Sequence, residues 1–233
     1  MTQKIGRHAL VIGGSLAGLF AARVLVDFFD KVTILDHRKG IPQSYHAHAL
    51  LPTAFPILER LFPGIINDLR RDGAATASNI VPFAIVSRRG LLPLPKWPGE
   101  IIAFSRPLLE WHVRDRVSSR PEVHIMANTE VTKLLTTQDR THVTGVRTRE
   151  QITLHADLVV DATGRHSQAP QWLVELGYEA PPVETINSNL RYASRFYAKP
   201  NQFAAEWQSL VVNGHPPHEH GALFFQWTMN AGM

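Results

Sequence analysis

The chain contains no cysteine. That excludes disulfides, thiolate metal sites, cysteine nucleophiles and iron–sulfur clusters, and it leaves the redox compartment open. No apolar run approaches the roughly 20 residues that span a bilayer. Lys4 and Arg7 lead straight into a strand-like run, with no cleavage-site pattern of a signal peptide. These absences predict a cytoplasmic protein without a transmembrane segment. Positive charge is present but not gathered. The formal net charge is +4, yet the basic residues come as scattered pairs, Arg70-Arg71 and Arg88-Arg89, with acids between them. A nucleic-acid binder concentrates such charge on one face or stripe, so no nucleic-acid partner is expected. The sixteen prolines form no tract, and no internal repeat or low-complexity segment is present. A metal centre is not expected either. His215, His218, Glu219 and His220 lie in H-P-P-H-E-H, which lacks the regular spacing that aims ligands inward.

What is there is strongest at the start. A chain of 233 residues can bury a full core, as one large domain or two modest ones. His8 to Ile12 (H-A-L-V-I) is a short apolar run next to glycine, the pattern of a buried parallel strand. Ser15 to Phe29 is nearly all apolar and reads as a helix packed on a sheet face. Lys31 to Leu35 (K-V-T-I-L) is a second strand, and strand, glycine turn, helix and strand together make a βαβ crossover.

An irregular loop, Asp36 to Leu51, comes next, followed by two short helices around Thr53–Phe62 and Ile65–Asp72. Residues 79–104 read as strands broken by prolines and suit an excursion into another sheet. A helix runs from Pro107 to about Ser119, with Leu109, Val113 and Val117 on one face. Three strands are expected between Val123 and Leu154, with a turn at Gln138–Arg140. Asp157 to Asp161 is a further buried strand, ending in Ala162-Thr163-Gly164. Beyond Gly177 the texture changes, with alternating segments at Leu190–Ala198, Trp207–Val212 and Ala222–Trp227.

The first turn carries the chemistry. It reads Gly13-Gly14-Ser15-Leu16-Ala17-Gly18, with Ala22 four residues on. Gly13 permits a tight strand-to-helix turn, and Gly18 and Ala22 let the helix approach the strand closely. Backbone N–H groups at the helix start, with the helix dipole, can then hold a pyrophosphate. Ser15 stands where the usual pattern has its second glycine, and its hydroxyl can cap the helix or bond a phosphate oxygen. Asp36 closes the second strand, where a carboxylate accepts hydrogen bonds from an adenosine ribose and repels a 2′-phosphate. A merely structural turn is the alternative.

V-I-G-G-S-L-A-G-L-F-A-A with Asp36 resembles the FAD-binding start of the flavoprotein monooxygenases related to para-hydroxybenzoate hydroxylase. Three further stretches resemble the bacterial branch that includes polyether epoxidases and squalene-epoxidase-like enzymes. These are R-K-G-I-P-Q-S-Y-H-A-H-A-L-L with L-E-R-L-F-P-G, then S-R-P-L-L-E-W-H-V-R, then A-D-L-V-V-D-A-T-G-R-H-S-Q-A-P-Q-W-L with L-G-Y. The resemblance runs through about residue 198.

It implies an α/β fold: a Rossmann-like, three-layer FAD/NAD(P)-binding domain with a parallel central sheet and a β-meander, over residues 1–177. Residues 178–233 would begin a mixed-sheet substrate domain that residues 78–100 join. The FAD-binding residues it implies are Gly13, Gly14, Ser15, Ala17, Gly18, Asp36, His37, Arg38, Arg106, Asp161 and Gly164. In that family the strand ending at Asp161 returns beside the first strand, and Thr163-Gly164 lies near FAD. Thr163 occupies the aspartate position of the relatives' Asp-Gly turn, so a purely structural turn is also open. His46 and His48 fall in a loop near the flavin and are candidates to hydrogen-bond it or substrate. Arg106 and the histidines have surface or structural roles as alternatives.

The activity implied is oxygenation, by epoxidation or hydroxylation, of a small apolar or aromatic molecule with FAD and NADPH or NADH. Relatives carry a later Gly-Asp turn at the flavin, and no Gly-Asp dipeptide occurs here. The chain therefore reads as the N-terminal half of such a protein. A decayed FAD-binding module and a flavin-dependent prenyl-chain reductase are the other readings. An NAD-dependent dehydrogenase is disfavoured, since no catalytic domain of that kind follows.

Overall fold

The apolar run after Arg7 becomes the central strand of a parallel sheet. In chain order the elements are β1 (Gly6–Ile12), α1 (Leu16–Leu25), β2 (Phe29–Asp36), β3 (Ala47–Leu50), α2 (Phe55–Leu61), α3 (Ile65–Arg71) and β4 (Ala75–Ala77). Then come β5 (Phe83–Ser87), β6 (Gly90–Leu92), β7 (Ile101–Ser105), α4 (Arg106–Ser118), β8 (Val123–Ala127), β9 (Val131–Thr136), β10 (Val143–Thr148) and β11 (Thr153–His155). The last are β12 (Leu158–Asp161), α5 (Ala169–Glu175), β13 (Ser209–Val212) and β14 (Ala222–Phe225). The computed structural model describes residues 3–37, 40, 44, 46–77, 83–92, 101–195, 197–198, 200, 202, 209–215, 217 and 220–225. The chain divides into two units, residues 1–42 with 113–191 and residues 43–112 with 192–233.

In the first unit the parallel sheet runs β12-β1-β2-β8. β12 returns beside β1, with Ile12 opposite Asp161, and β8 lies parallel to β2 on the other side. Val123–Ala127 therefore belongs to this sheet and not to the meander, which is β11-β10-β9. Alternation along β1 sorts its side chains. Leu10 and Ile12 pack with Leu35, Val131, Leu134, Val146 and Trp172, which joins the sheet to the meander and α5. A fully buried side chain of this size contributes about 1.5–3 kcal/mol. Gly18, Leu19 and Ala22 form the buried side of α1. The helix stops at Leu25, short of the expected Phe29, because Val26 to Phe28 form turns closed by Asp27 N–H to Val24 O and Phe28 N–H to Leu25 O. Lys4 Nζ fastens this corner by donating to Val26 O at 2.6 Å and Phe29 O at 2.8 Å.

In the second unit β3 and β4 flank β7, antiparallel to it. The residues expected as an irregular loop up to Leu51 thus end in a strand, His48 pairing with Phe104. The other sheet is β14-β13-β5-β6, with β13 parallel to β5; this is where residues 83–92 go. The two short helices and the Phe62 that ends the first carry the apolar residues Leu58, Phe62, Ile65, Ile66 and Leu69, all buried. Glu59, from L-E-R-L-F-P-G, accepts from Gly64 N–H at 2.7 Å and Ile66 N–H at 3.0 Å, so its carboxylate caps α3. The strand expected at Leu190–Ala198 is not formed among the described residues. Leu190, Tyr192 and Tyr197 are 68%, 78% and 76% exposed, and β-rich composition makes no strand without a partner edge.

Candidate functional site

The glycine turn is built by three close approaches. Gly13 has φ +101°, a conformation that costs an L-residue roughly 1–2 kcal/mol. A Cβ there would also sit 2.8 Å from Ala162 O, so the turn after β12 passes directly against it. A Cβ on Gly18 would overlap the Gly13 carbonyl and reach within 3.3 Å of Val11 Cγ1. A Cβ on Gly14 would overlap the Asp36 carboxylate, 2.6 Å from its Cγ. Three missing side chains thus bring the β12 turn, α1 and the end of β2 onto one point.

Ser15 is the N-cap residue of α1 but its side chain makes no cap hydrogen bond, so the capping role expected of its hydroxyl is not realised. No acidic residue lies in the first turn of α1. Ala17 is exposed there, and His37 is exposed just after β2.

Asp36 is 7% exposed. Arg114, from α4, donates through Nη2 to Asp36 Oδ2 at 3.0 Å and to Gly14 O at 2.7 Å. Sequence reasoning did not single out this arginine. The signal was its place at the end of S-R-P-L-L-E-W-H-V-R, beside Val113 on the buried face of the helix.

Asp161 closes β12 as Asp36 closes β2, but its carboxylate turns back on its own loop. Oδ1 accepts from Thr163 N–H at 2.9 Å and Thr163 Oγ1 at 2.6 Å, and Oδ2 accepts from Ser167 Oγ. Burial opposes its charge, but the bonds from Ser167 and Thr163 prevail and hold the carboxyl below its usual range. Gly164 has φ +79° with open space where a Cβ would be.

Of the other expected residues, Arg106, His46 and His48 belong to the second unit. Ser105 Oγ accepts from Leu108 N–H at 3.3 Å, starting α4 so that Arg106 is its first residue. Arg106 Nε lies 3.5 Å from Glu110 Oε2, and Glu110 is buried. His46 Nδ1 lies 2.8 Å from Ser194 Oγ. His48 Nδ1 is 2.8 Å from the His46 carbonyl, which only accepts, so this nitrogen carries the proton and a neutral ring presents Nε2 as an acceptor. Arg38 lies outside the described residues, as do His218 and Glu219. Among the described residues no group of three His, Asp or Glu side chains could hold a metal ion, and no helix is long and apolar enough to cross a membrane.

A family model described as "FAD binding domain" matches residues 7–220. The chain belongs to this FAD-binding family. Its cofactor is FAD, and a turn without Cβ atoms at three points, beside a carboxylate at the end of β2, suits the diphosphate and ribose of that molecule. The chain is 34% identical to Protein Rv3254 of Mycobacterium tuberculosis over 92% of its own length and 50% of that protein's. It therefore spans about half the length of this curated relative. Among solved structures it is similar to PqsL of Pseudomonas aeruginosa, described as a probable FAD-dependent monooxygenase, with TM-score 0.60, 18% identity, and 76% of this chain and 48% of that one covered. CtdE, solved in complex with FAD and a substrate, gives TM-score 0.54 and 18% identity, over 71% of this chain and 39% of that one. At such identities the likeness establishes the fold, an α/β FAD-binding domain with a parallel central sheet.

Proposed function

We propose that the chain supplies the adenosine- and pyrophosphate-binding part of an FAD-dependent monooxygenase that acts on a small apolar or aromatic molecule. The observation that carries this reading is the convergence of Gly13, Gly14, Gly18 and Asp36 on one turn. In it Asp36 accepts the adenosine ribose hydroxyls, the N–H groups at the start of α1 hold the pyrophosphate, and Gly164 leaves its turn open to the cofactor. Bound FAD supplies the redox and oxygen chemistry, and the protein binds, orients and excludes water. NADH or NADPH provides two electrons. One oxygen atom of O2 enters the substrate and the other leaves as water.

Support for an aromatic substrate comes from PqsL, which was solved with 2-aminobenzoylacetate. The three stretches similar to the epoxidase branch support an alkene. His48, with Nδ1 bonded to the His46 carbonyl, accepts from substrate when neutral and donates from Nε2 only as imidazolium.

A second reading is a module that binds FAD and turns nothing over. Labelled oxygen separates the two. With FAD, NAD(P)H, labelled O2 and a panel of alkenes and aromatics, the full-length protein should yield product carrying one labelled oxygen. Label found only in hydrogen peroxide and water would contradict the monooxygenase reading.

A further inference from the structure

Asp36 and the glycine turn are joined by a residue that neither touches in sequence. Arg114 lies on α4, 78 residues from Asp36 and 100 from Gly14. We infer that Arg114 is a positioning residue for the adenosine half of the FAD site, fixing the ribose acceptor and the pyrophosphate turn as one piece. The inference rests on the reading that Asp36 grips the ribose.

Two contacts of one guanidinium nitrogen carry it. The first, to Asp36 Oδ2 at 3.0 Å, compensates a carboxylate whose side chain is only 10% exposed against 33% for the arginine. A buried carboxylate without a cation beside it costs several kcal/mol of desolvation. With the arginine there the carboxylate is compensated and aimed, because a charge-assisted bond constrains both partners. The second contact, to Gly14 O at 2.7 Å, acts through the peptide plane. In a planar trans peptide the N–H points opposite to the C=O. Holding the Gly14 carbonyl toward Arg114 therefore turns the Ser15 N–H away from it, at the start of α1, where an anion is expected. The missing Cβ of Gly14 is what lets the carboxylate lie against this peptide. A side chain at residue 14 would part the two groups that Arg114 holds together.

The experiment is a set of equilibrium titrations with FAD and with ADP, which shares only the adenosine and diphosphate, on the 233-residue chain. The variants are Arg114→Met, Arg114→Lys, Asp36→Asn and the double variant Arg114→Met/Asp36→Asn, each with a thermal melt of the ligand-free protein. Arg114→Met should weaken FAD and ADP in parallel, by about tenfold or more. Arg114→Lys should restore part of that loss, since a single ammonium recovers the charge but not both contacts. The double variant should bind little worse than Asp36→Asn alone. Full additivity in the double variant would overturn the inference, as would Arg114→Met with FAD affinity within twofold of wild type. So would lysine rescue of the melting temperature without rescue of binding, which marks a merely structural role. Wild-type protein that binds neither FAD nor ADP overturns the FAD-site reading itself, and this inference with it.

Discussion

Two aspartates end two strands on either side of β1, and they are used in opposite ways. Asp36 is buried and held by Arg114 from a distant helix, pressed against the Gly14 backbone. Asp161 is exposed and takes its partners, Thr163 and Ser167, from the next six residues. Both carboxylates stabilise a turn. The arginine that holds Asp36 also holds the Gly14 carbonyl, so a change at Asp36 reaches the backbone proposed to face the pyrophosphate. The partners of the Asp161 carboxylate are local. A local Asx-type turn forms wherever its sequence occurs, whereas the Asp36 arrangement requires β2, α1 and α4 to be in place first.

Substitutions can break or sharpen this contrast. The largest effect is expected at Ser15. A valine there places a branched side chain at the start of α1, the proposed pyrophosphate site, and should abolish FAD uptake, while Ser15→Gly is tolerated. Gel filtration with flavin absorbance checks both, and normal uptake by the valine variant would move the phosphates elsewhere. Next is Gly14→Ala, whose Cβ collides with the Asp36 carboxylate. Overpacking of this kind costs typically about 1–3 kcal/mol, read by urea denaturation, and FAD affinity should fall with it. An alanine variant as stable and as tight-binding as wild type would dissolve the claimed difference between the two strand ends.

At Asp161 a smaller and different effect is expected. Asp161→Asn should leave FAD affinity within about twofold and trim stability by roughly the 0.5–1.5 kcal/mol of a single net hydrogen bond at most. The sign with pH follows from its lowered carboxyl value. The stability it adds is present above the unfolded carboxylate range and is lost as pH falls through the folded value. In the asparagine variant that acid loss should shrink.

The smallest effect concerns His8, at the joint of β1 and β12. His8 Nδ1 donates to the His155 carbonyl at 2.8 Å, which leaves Nε2 to accept from Thr33 Oγ1 at 2.9 Å. Burial, outweighing that backbone bond, lowers its pKa from 6.5. The unfolded chain therefore binds the extra proton first, and stability declines as pH falls from 6.5 toward the folded value. His8→Gln should flatten the stability–pH profile in that window, measured by urea melts at several pH values.

The first βαβ unit was legible because every level agreed: apolar runs of strand length, glycines at the turn and an acid at the end of β2. Return of the Asp161 strand beside β1 followed from the family resemblance and is realised. Arg114 was not legible, because its partners are far away in sequence and nothing local marks a guanidinium as long-range. The same limit applies to Val123–Ala127. Its apolar pattern predicts a strand, but not that it joins β2 in the parallel sheet. His48 was read as loop because four residues are too few to display alternation, and its ladder partner Phe104 lies on β7. Leu190 to Ala198 failed in the other direction, with an alternating pattern and no strand formed among its described residues.

The most direct test is an equilibrium FAD titration of the wild-type chain beside Asp36→Ala, followed by flavin fluorescence. The account predicts saturable binding by wild type and a loss of roughly 1–3 kcal/mol in the variant, about 5- to 150-fold in Kd. Unchanged affinity after removal of the Asp36 carboxylate, or no saturable binding by wild type, would contradict it.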